Sequence, residues 1–363
     1  MRILLSSSHW YPADDGIGSG LSPKPFPSGS AFAVHDLIAK GLAELGHTVF
    51  YRLAGGCRKP LPKGIMPVSG SIPNVDILHT YSFEDPTLVR FMVSRHRPWV
   101  ATCHGDIKLR GIARRNATRN VIFVSQTLAR LYRRRRYVLN AVDASQYCYS
   151  SAKDDYILFL SSVERPLEKG LDLALSLSKQ KGFNLVVAGT ATTRGRVEVT
   201  AKLCSGVGAK YLGDIRGSLK AEVLAGAKAL LFPSRLEEGF GLPLAEALMS
   251  GTPVICSDRG ACPEIISPDV GFVCKEYDDY LRALDHIADI DPARCRDKAL
   301  KEFHYIRMAS EYADEYEKEI NHSNRQKLRM AVQAIRAYEQ HSRLGTRLSQ
   351  ADEPGTQSDV RPL

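Results

Sequence analysis

ALLFPSRLEEGFGLPLAEALMSGTPVICSDRGACPEII, residues 229–266, reads as one β-α-β unit built around a ligand. Its first four residues, Ala229 to Phe232, are wholly apolar, as a strand covered on both faces requires. Pro233-Ser234 ends that strand. Gly239 and Gly241 flank Phe240 in a turn, and Pro243 suits the first position of a helix, where its missing N–H costs nothing. Gly251 stands where a helix-ending glycine belongs, and Thr252 to Cys256 forms the next buried strand. A glycine turn that opens a helix leaves backbone N–H groups free at the positive end of the helix dipole, a site for an anion such as a diphosphate. Glu238 precedes the turn and Glu246 falls in the first helical turn, with seven residues between them. One acid there is explained by dipole stabilisation and capping. Two acids bracketing a phosphate site need a further reason, and the hydroxyls of a sugar or ribose, which donate to carboxylates, supply it.

Working outward, the same alternation of apolar runs and helical periods extends over most of the chain. Arg2 to Ser7 is a strand, followed by a Gly-, Pro- and Ser-rich loop over 9–30 and a helix from Ala31 to Leu45 that Gly46 ends. Further strands are read at 47–51, 75–79, 99–103 and 120–125, with a helix from Gln126 to Arg135 after the last. A boundary falls between Asp143 and Asp155, and Tyr156 to Ser161 starts a second doubly wound α/β unit. Leu185 to Gly189 and Lys210 to Ile215 continue it. Helices then run to residue 320, and a basic amphipathic helix is expected over 326–344, with disorder from Gly345. Gly16-Ile17-Gly18-Ser19-Gly20 lacks the G-x-G-x-x-G spacing and opens no helix, so a dinucleotide reading does not hold.

Glu238-Gly239-Phe240-Gly241-Leu242-Pro243-Leu244-Ala245-Glu246 resembles the E-x7-E motif of retaining GT-B glycosyltransferases, family 4 (glycosyl transferases group 1). Phe232-Pro233-Ser234, Ala247 to Val254 and Gly260 to Ile266 match that pattern too. The resemblance implies a GT-B architecture, two Rossmann-like doubly wound domains facing across a cleft: 1–150 on the acceptor side, 151–320 binding the nucleotide sugar, and 321–363 a tail. It implies donor contacts from Gly239, Phe240, Gly241 and Leu242, ribose hydroxyls on Glu246, sugar hydroxyls on Glu238, and diphosphate on Lys169. The family has an arginine five residues before that lysine; here Glu164 holds the place and Arg165 stands one later, so the loop is shifted or the contact changed. Gly213 lies in the stretch resembling the nucleobase pocket, and Ser28-Gly29-Ser30 in the place of a glycine-rich turn that enters the cleft. His104-Gly105 after a central strand matches the histidine that lies near the transferred sugar, and Asn140-Ala141-Val142-Asp143 resembles the family's linker motif. Phe303, Met308, Ala309, Tyr312 and Tyr316 match a last helix that returns to the first domain.

The reaction so implied moves a sugar from a nucleotide-diphosphate donor to a carbohydrate, lipid-linked or small-molecule acceptor, with no separate protein nucleophile. The nucleotide sugar is a substrate, and neither cofactor nor metal is required. Asp289-Ile290-Asp291 spells the metal motif of the other glycosyltransferase fold but stands next to Pro292 at a helix end, and reads as surface charge. Two other functions stay open on sequence: a non-catalytic protein of this fold that binds a sugar nucleotide, and a GT-B epimerase or phosphorylase.

Charge is unevenly spread. The whole chain carries a formal +9, and residues 1–150 hold 20 Lys and Arg against 9 Asp and Glu, so the positive excess lies in the first half. Arg110, Arg114, Arg115, Arg119 and the run Arg133 to Arg136 form it. Either this is a solvated face, or it meets an anionic membrane surface or a phosphate-bearing, lipid-linked acceptor. Nucleic acid is not expected, because no aromatic-interleaved binding motif accompanies the charge. The apolar start at Met1 is too short for a signal peptide. Eight scattered cysteines without a C-x-x-C pair fit a reducing compartment. A cytoplasmic protein, peripheral at the inner face of a membrane, is the resulting expectation.

Overall fold

The structure, a computed structural model, describes residues 1–13, 31–81, 86–105 and 119–351. The first lobe comprises β1 (Arg2–Ser7), β2 (Trp10–Tyr11), α1 (Ala31–Glu44), β3 (Thr48–Leu53), β4 (Gly56–Cys57), β5 (Ile65–Pro67), β6 (Ile77–Tyr81), α2 (Pro86–Ser94), β7 (Trp99–Cys103), β8 (Val121–Phe123) and α3 (Gln126–Leu131). The second begins with β9 (Ile157–Leu160), α4 (Leu171–Lys181), β10 (Leu185–Ala188), α5 (Arg194–Ser205), β11 (Lys210–Tyr211) and α6 (Gly217–Gly226). It continues with β12 (Ala229–Phe232), α7 (Leu242–Met249), β13 (Val254–Ser257), α8 (Cys262–Ile265), β14 (Gly271–Cys274), α9 (Tyr277–His286) and α10 (Pro292–Glu302). The last helix, α11, runs from Tyr305 to Ala351.

Each lobe holds a six-stranded sheet, ordered β5-β3-β1-β6-β7-β8 in one and β11-β10-β9-β12-β13-β14 in the other. Every pairing within them is parallel. Renumbered within its lobe, each order is the doubly wound 3-2-1-4-5-6, whose winding reverses beside the first strand. Ligands of such sheets bind at the carboxyl ends of the strands at that reversal. It lies between β9 and β12 in the second lobe, and β12 is the strand that opens the decisive stretch.

Periodicity explains how the chain closes on itself. Tyr305, Met308, Ala309, Tyr312 and Tyr316 share one face of α11, and all five are buried in the core of the first lobe beside Val34, Ile38 and Leu42 of α1. A side chain on Gly41 would come within 2.6 Å of Ala309 Cβ, so glycine lets the two helices approach. The two passages of chain between the lobes are bonded to each other: Val142 N–H donates to Phe303 O at 2.9 Å, and Tyr305 N–H to Val142 O at 3.2 Å. Glu264 of α8 reaches across and accepts from the backbone N–H groups of Gln126 and Thr127, both at 2.8 Å, so an acid of the second lobe caps α3 of the first. The helix expected over 326–344 lies within α11, which continues past Gly345 to Ala351.

Two sequence expectations are corrected here. The helix from Gln126 ends at Leu131 rather than Arg135, because Arg133 takes a left-handed φ of 55° and Arg134 N–H turns back to Ala129 O at 2.8 Å, the closure that ends many helices. Part of the basic face is also consumed internally. Arg136 pairs with Glu315 of α11, Arg119 lies 2.9 Å and Arg136 3.1 Å from Glu319, and Glu319 is itself buried. These arginines fasten α11 to the first lobe instead of forming an open patch. Arg110, Arg114 and Arg115 lie outside the described residues.

A pH dependence follows from the same core. His35 and His79 are fully buried with ring centroids 4.9 Å apart. Burial is the largest cause that holds His79 down to about 3 and His35 well below its ordinary value. Both are therefore neutral in the fold and gain protons on unfolding. Their contribution is complete above about pH 6.5 and is lost as pH falls below it, for His79 down to about 3, each by at most about 1.4 kcal/mol per pH unit. Denaturant titrations near pH 7 and near pH 5 should show the midpoint falling with acid. His35→Phe, which removes a ring whose nitrogens have no hydrogen-bond partner, should flatten the fall.

Candidate functional site

A cavity of about 280 Å³ opens where the two lobes face each other. Its second-lobe wall is the carboxyl edge of the sheet: Leu160 at the end of β9 with Ser161 and Ser162 after it, Gly189 and Thr190 after β10, and Phe232 at the end of β12. The turn Glu238 to Leu242, then Pro243 and Glu246, completes that side, while Ala31, His104 and Asn140 come from the first lobe. Gly241 caps α7 with φ 85°, a conformation glycine takes without strain, and no side chain caps the helix start, whose residues Leu242 and Pro243 line the cavity. Glu246 is not in the first turn, as the sequence had predicted; with Leu242 as the first helical residue it lies one turn further in.

Four ionisable groups dominate. Lys169 Nζ lies 2.6 Å from Glu238 Oε1, which also accepts from Ser234 Oγ at 2.6 Å. Lys220 Nζ lies 2.7 Å from Glu246 Oε1, and Glu246 is 3 % exposed with no hydrogen-bond partner for Oε2 among the described residues. Glycines place these groups by letting backbone approach. Gly170 (φ 77°) caps α4 next to Lys169, and a Cβ there would fall 2.1 Å from Pro233 O. Gly260 (φ 57°) has Glu238 N and O within 2.4 Å of where its Cβ would be. Gly239 does the same between lobes, with His104 O 2.6 Å away. His104 is also stacked on Tyr81, with centroids 5.0 Å apart.

The structure thus brings His104, Lys169, Glu238, Gly239, Phe240, Gly241, Leu242 and Glu246 to one cavity. Gly213 stands just behind the wall. Its carbonyl accepts from Gly189 N–H at 2.8 Å, and its neighbours Asp214 and Ile215 line the cavity. Arg165 is not brought there; its guanidinium pairs with Glu168 at 3.2 Å, and both side chains are half exposed. Because an exposed pair contributes about 0–1 kcal/mol, Arg165→Ala is expected to leave nucleoside diphosphate affinity within a few-fold of wild type in a calorimetric titration. Gly29 lies outside the described residues. Asp291 of the D-x-D caps α10 by accepting from Ala293 N–H at 2.8 Å, and Asp289 pairs with His286.

Sequence reasoning missed Lys220 and Asn140. Asn140, read from the sequence only as part of a linker motif, is buried on the wall, and among the described residues its Oδ1 has no partner. Lys220 carried a usable signal: it sits four residues before Leu224 and one before Ala221, both buried, so a cation interrupts the apolar stripe of α6.

Residues 149–301 match the family model described as Glycosyl transferases group 1, the resemblance read from the E-x7-E stretch. An MMP alpha-(1->4)-mannosyltransferase of Mycolicibacterium hassiacum is 51% identical over 49 residues, 14% of this chain and 12% of that one. O-antigen chain mannosyltransferase B of Escherichia coli is 32% identical over 113 residues, 31% of this chain and 27% of the relative. The match therefore spans about a quarter or less of these relatives' lengths. Among solved structures, AviGT4, a glycosyltransferase involved in avilamycin A biosynthesis, superposes with a TM-score of 0.68 at 21% identity, covering 88% of this chain and 98% of its own. HepE of Anabaena, solved in complex with UDP-glucose, gives 0.64 at 15%, covering 88% and 100%. The fold is GT-B. No helix among the described residues is long and apolar enough to cross a membrane.

Proposed function

We propose that the chain is a retaining glycosyltransferase that transfers a hexose from a nucleoside diphosphate sugar to a hydroxylated acceptor held on the first lobe. The observation that carries this is the meeting of Lys169, Glu238, Glu246 and the α7 N-terminus from one lobe with His104 from the other around a single cavity. The group 1 match over the second lobe and the mannosyltransferase names of the partial relatives support a sugar nucleotide, and the UDP-glucose bound by HepE supports a hexose donor.

In this reading the diphosphate lies at the α7 N-terminus with Lys169 beside it, Glu246 accepts from ribose hydroxyls, and Glu238 from the transferred sugar. His104 approaches that sugar from the opposite side. The bond from the anomeric carbon to the β-phosphate oxygen breaks while the acceptor oxygen bonds the same face, and the acceptor's proton passes to the departing phosphate oxygen. The protein's main task is to stabilise the charge growing on the diphosphate. Lys169 and the helix terminus supply that positive charge, so the reading requires neither metal nor cofactor. The positive excess of the first lobe supports a phosphate-bearing or lipid-linked acceptor and peripheral contact with the cytoplasmic face of a membrane. Its arginines at 133 and 135 are exposed, unlike Arg136.

Purified protein incubated with UDP-, GDP- and ADP-hexoses should release the nucleoside diphosphate, by transfer or slow hydrolysis. Tight binding of a sugar nucleotide without any release would instead mark a non-catalytic binding protein.

A further inference from the structure

Glu246 and Lys220 do not meet by accident of surface charge. The lysine side chain is 12 % exposed and the glutamate 4 %, and they stand 2.7 Å apart on neighbouring helices, α6 and α7. Both line the cavity between the lobes. Both also line a second cavity of about 290 Å³ beside it, which Tyr11, Asp36 and Lys40 help to enclose. The pair, with Leu242, is therefore part of the partition between two spaces, and not a bridge sealed inside a core. The pairing is incomplete on each side. Glu246 uses Oε1 for Lys220, and Oε2 is buried without a partner. An ammonium has three N–H donors, and among the described residues Glu246 is the acceptor that Lys220 Nζ meets.

A buried carboxylate oxygen without a partner is costly, and one at the wall of a cavity is readily completed by a ligand hydroxyl. A lysine fixed beside it offers a donor at the adjacent position. One acceptor and one donor side by side match two neighbouring hydroxyls, the first donating to Oε2 and the second accepting from Nζ. We propose that Lys220 and Glu246 form a vicinal-diol clamp that reads the ribose of the donor, with Lys220 the residue that makes the site discriminate ribonucleotide from deoxyribonucleotide. The inference rests on the sugar-nucleotide reading given above and adds Lys220 to it. Lys220 acts twice: it holds the Glu246 carboxylate in one orientation, and it contacts the second hydroxyl.

The test uses the full chain and six probes, UDP, GDP and ADP with their 2′-deoxy counterparts, by calorimetric titration. Wild type should bind at least one ribonucleoside diphosphate tighter than its deoxy form by roughly tenfold or more. In Lys220→Met that ratio should fall toward one, chiefly through loss of affinity for the ribo form. A lysine that merely braces the fold would weaken both forms alike and leave the ratio unchanged, and that result overturns the clamp. If Lys220→Met does not fold, Lys220→Met/Glu246→Gln is compared with Glu246→Gln alone: a further fall of the ratio when the lysine is removed supports the clamp, and an unchanged ratio overturns it. Failure of wild type to bind any of the three ribonucleoside diphosphates is a different result. It refutes the sugar-nucleotide reading, and the clamp with it.

Discussion

Lys169→Ala is expected to lower turnover by about two to three orders of magnitude while the protein keeps its fold. That is the usual cost of removing one preorganised group that stabilises charge developing in a transition state. Lys169 Nζ lies 2.6 Å from Glu238, and its side chain is only 14 % exposed, so the ammonium is held at the cavity and does not sweep through solvent. The substitution also deprives Glu238 of its cation and leaves it the Ser234 hydroxyl. Steady-state kinetics would show the loss mainly in kcat, with a smaller loss of nucleoside diphosphate affinity, because in the proposed reading the α7 N-terminus also holds the phosphates. Turnover close to wild type would mean that the helix terminus suffices alone.

The second large effect should come from a single methyl group. The Cβ added by Gly239→Ala would stand 2.6 Å from His104 O, 3.3 Å from His104 C and 3.4 Å from Gly105 Cα. All three are backbone atoms of the opposite lobe, so no flexible side chain can yield, and the cleft itself must widen. Overpacking of this kind costs about 1–3 kcal/mol. A displacement of about 1 Å between reacting groups costs about 10²-fold in rate. The expected result is a drop in kcat of about that size with nucleoside diphosphate affinity nearly intact, since the proposed donor site lies mainly on the second lobe. Gly105→Ala is the matched control: its Cβ would meet nothing within 4 Å, and stability should stay near wild type.

How far the sequence could be read differs between the lobes for physical reasons. Residues 229–266 are local in their logic: an apolar strand, a glycine turn and a proline-started helix each announce themselves within a few positions, and the structure has them as β12, α7 and β13. The return of α11 was legible from the match of Phe303, Met308, Ala309, Tyr312 and Tyr316 to the family pattern. The last four lie in the first-lobe core, whereas Phe303 precedes the helix and packs in a core cluster drawn mainly from the second lobe, and Tyr305 completes the buried face. What could not be read depended on contacts distant in sequence. Arg136 is one of four consecutive arginines, and only the fold brings Glu315 and Glu319, some 180 residues later, against it. Lys220 and Glu246 are 26 residues apart on different helices, and their meeting follows from how α6 and α7 pack. Arg165 was placed by analogy with a spacing that this chain does not keep, and the side chain turns to Glu168.

The crossing of α11 also sets an order in time. A ribosome delivers the first lobe's strands long before it delivers Tyr305 to Tyr316, yet these residues belong to that lobe's core. At about 5–20 residues per second, the stretch between β8 and Tyr316 takes on the order of ten seconds or more to synthesise. Through that interval the face of α1 that packs on Ala309 and the polar atoms of Thr102 and His79 that bond Tyr312 and Tyr316 lack their partners. The second lobe, complete by α10, is free to fold first, and the nascent N-terminal half waits until Tyr316 has been made. This makes it a stretch of chain for holding chaperones to occupy, and it makes early termination anywhere before Tyr316 damaging to the half of the protein that was made first.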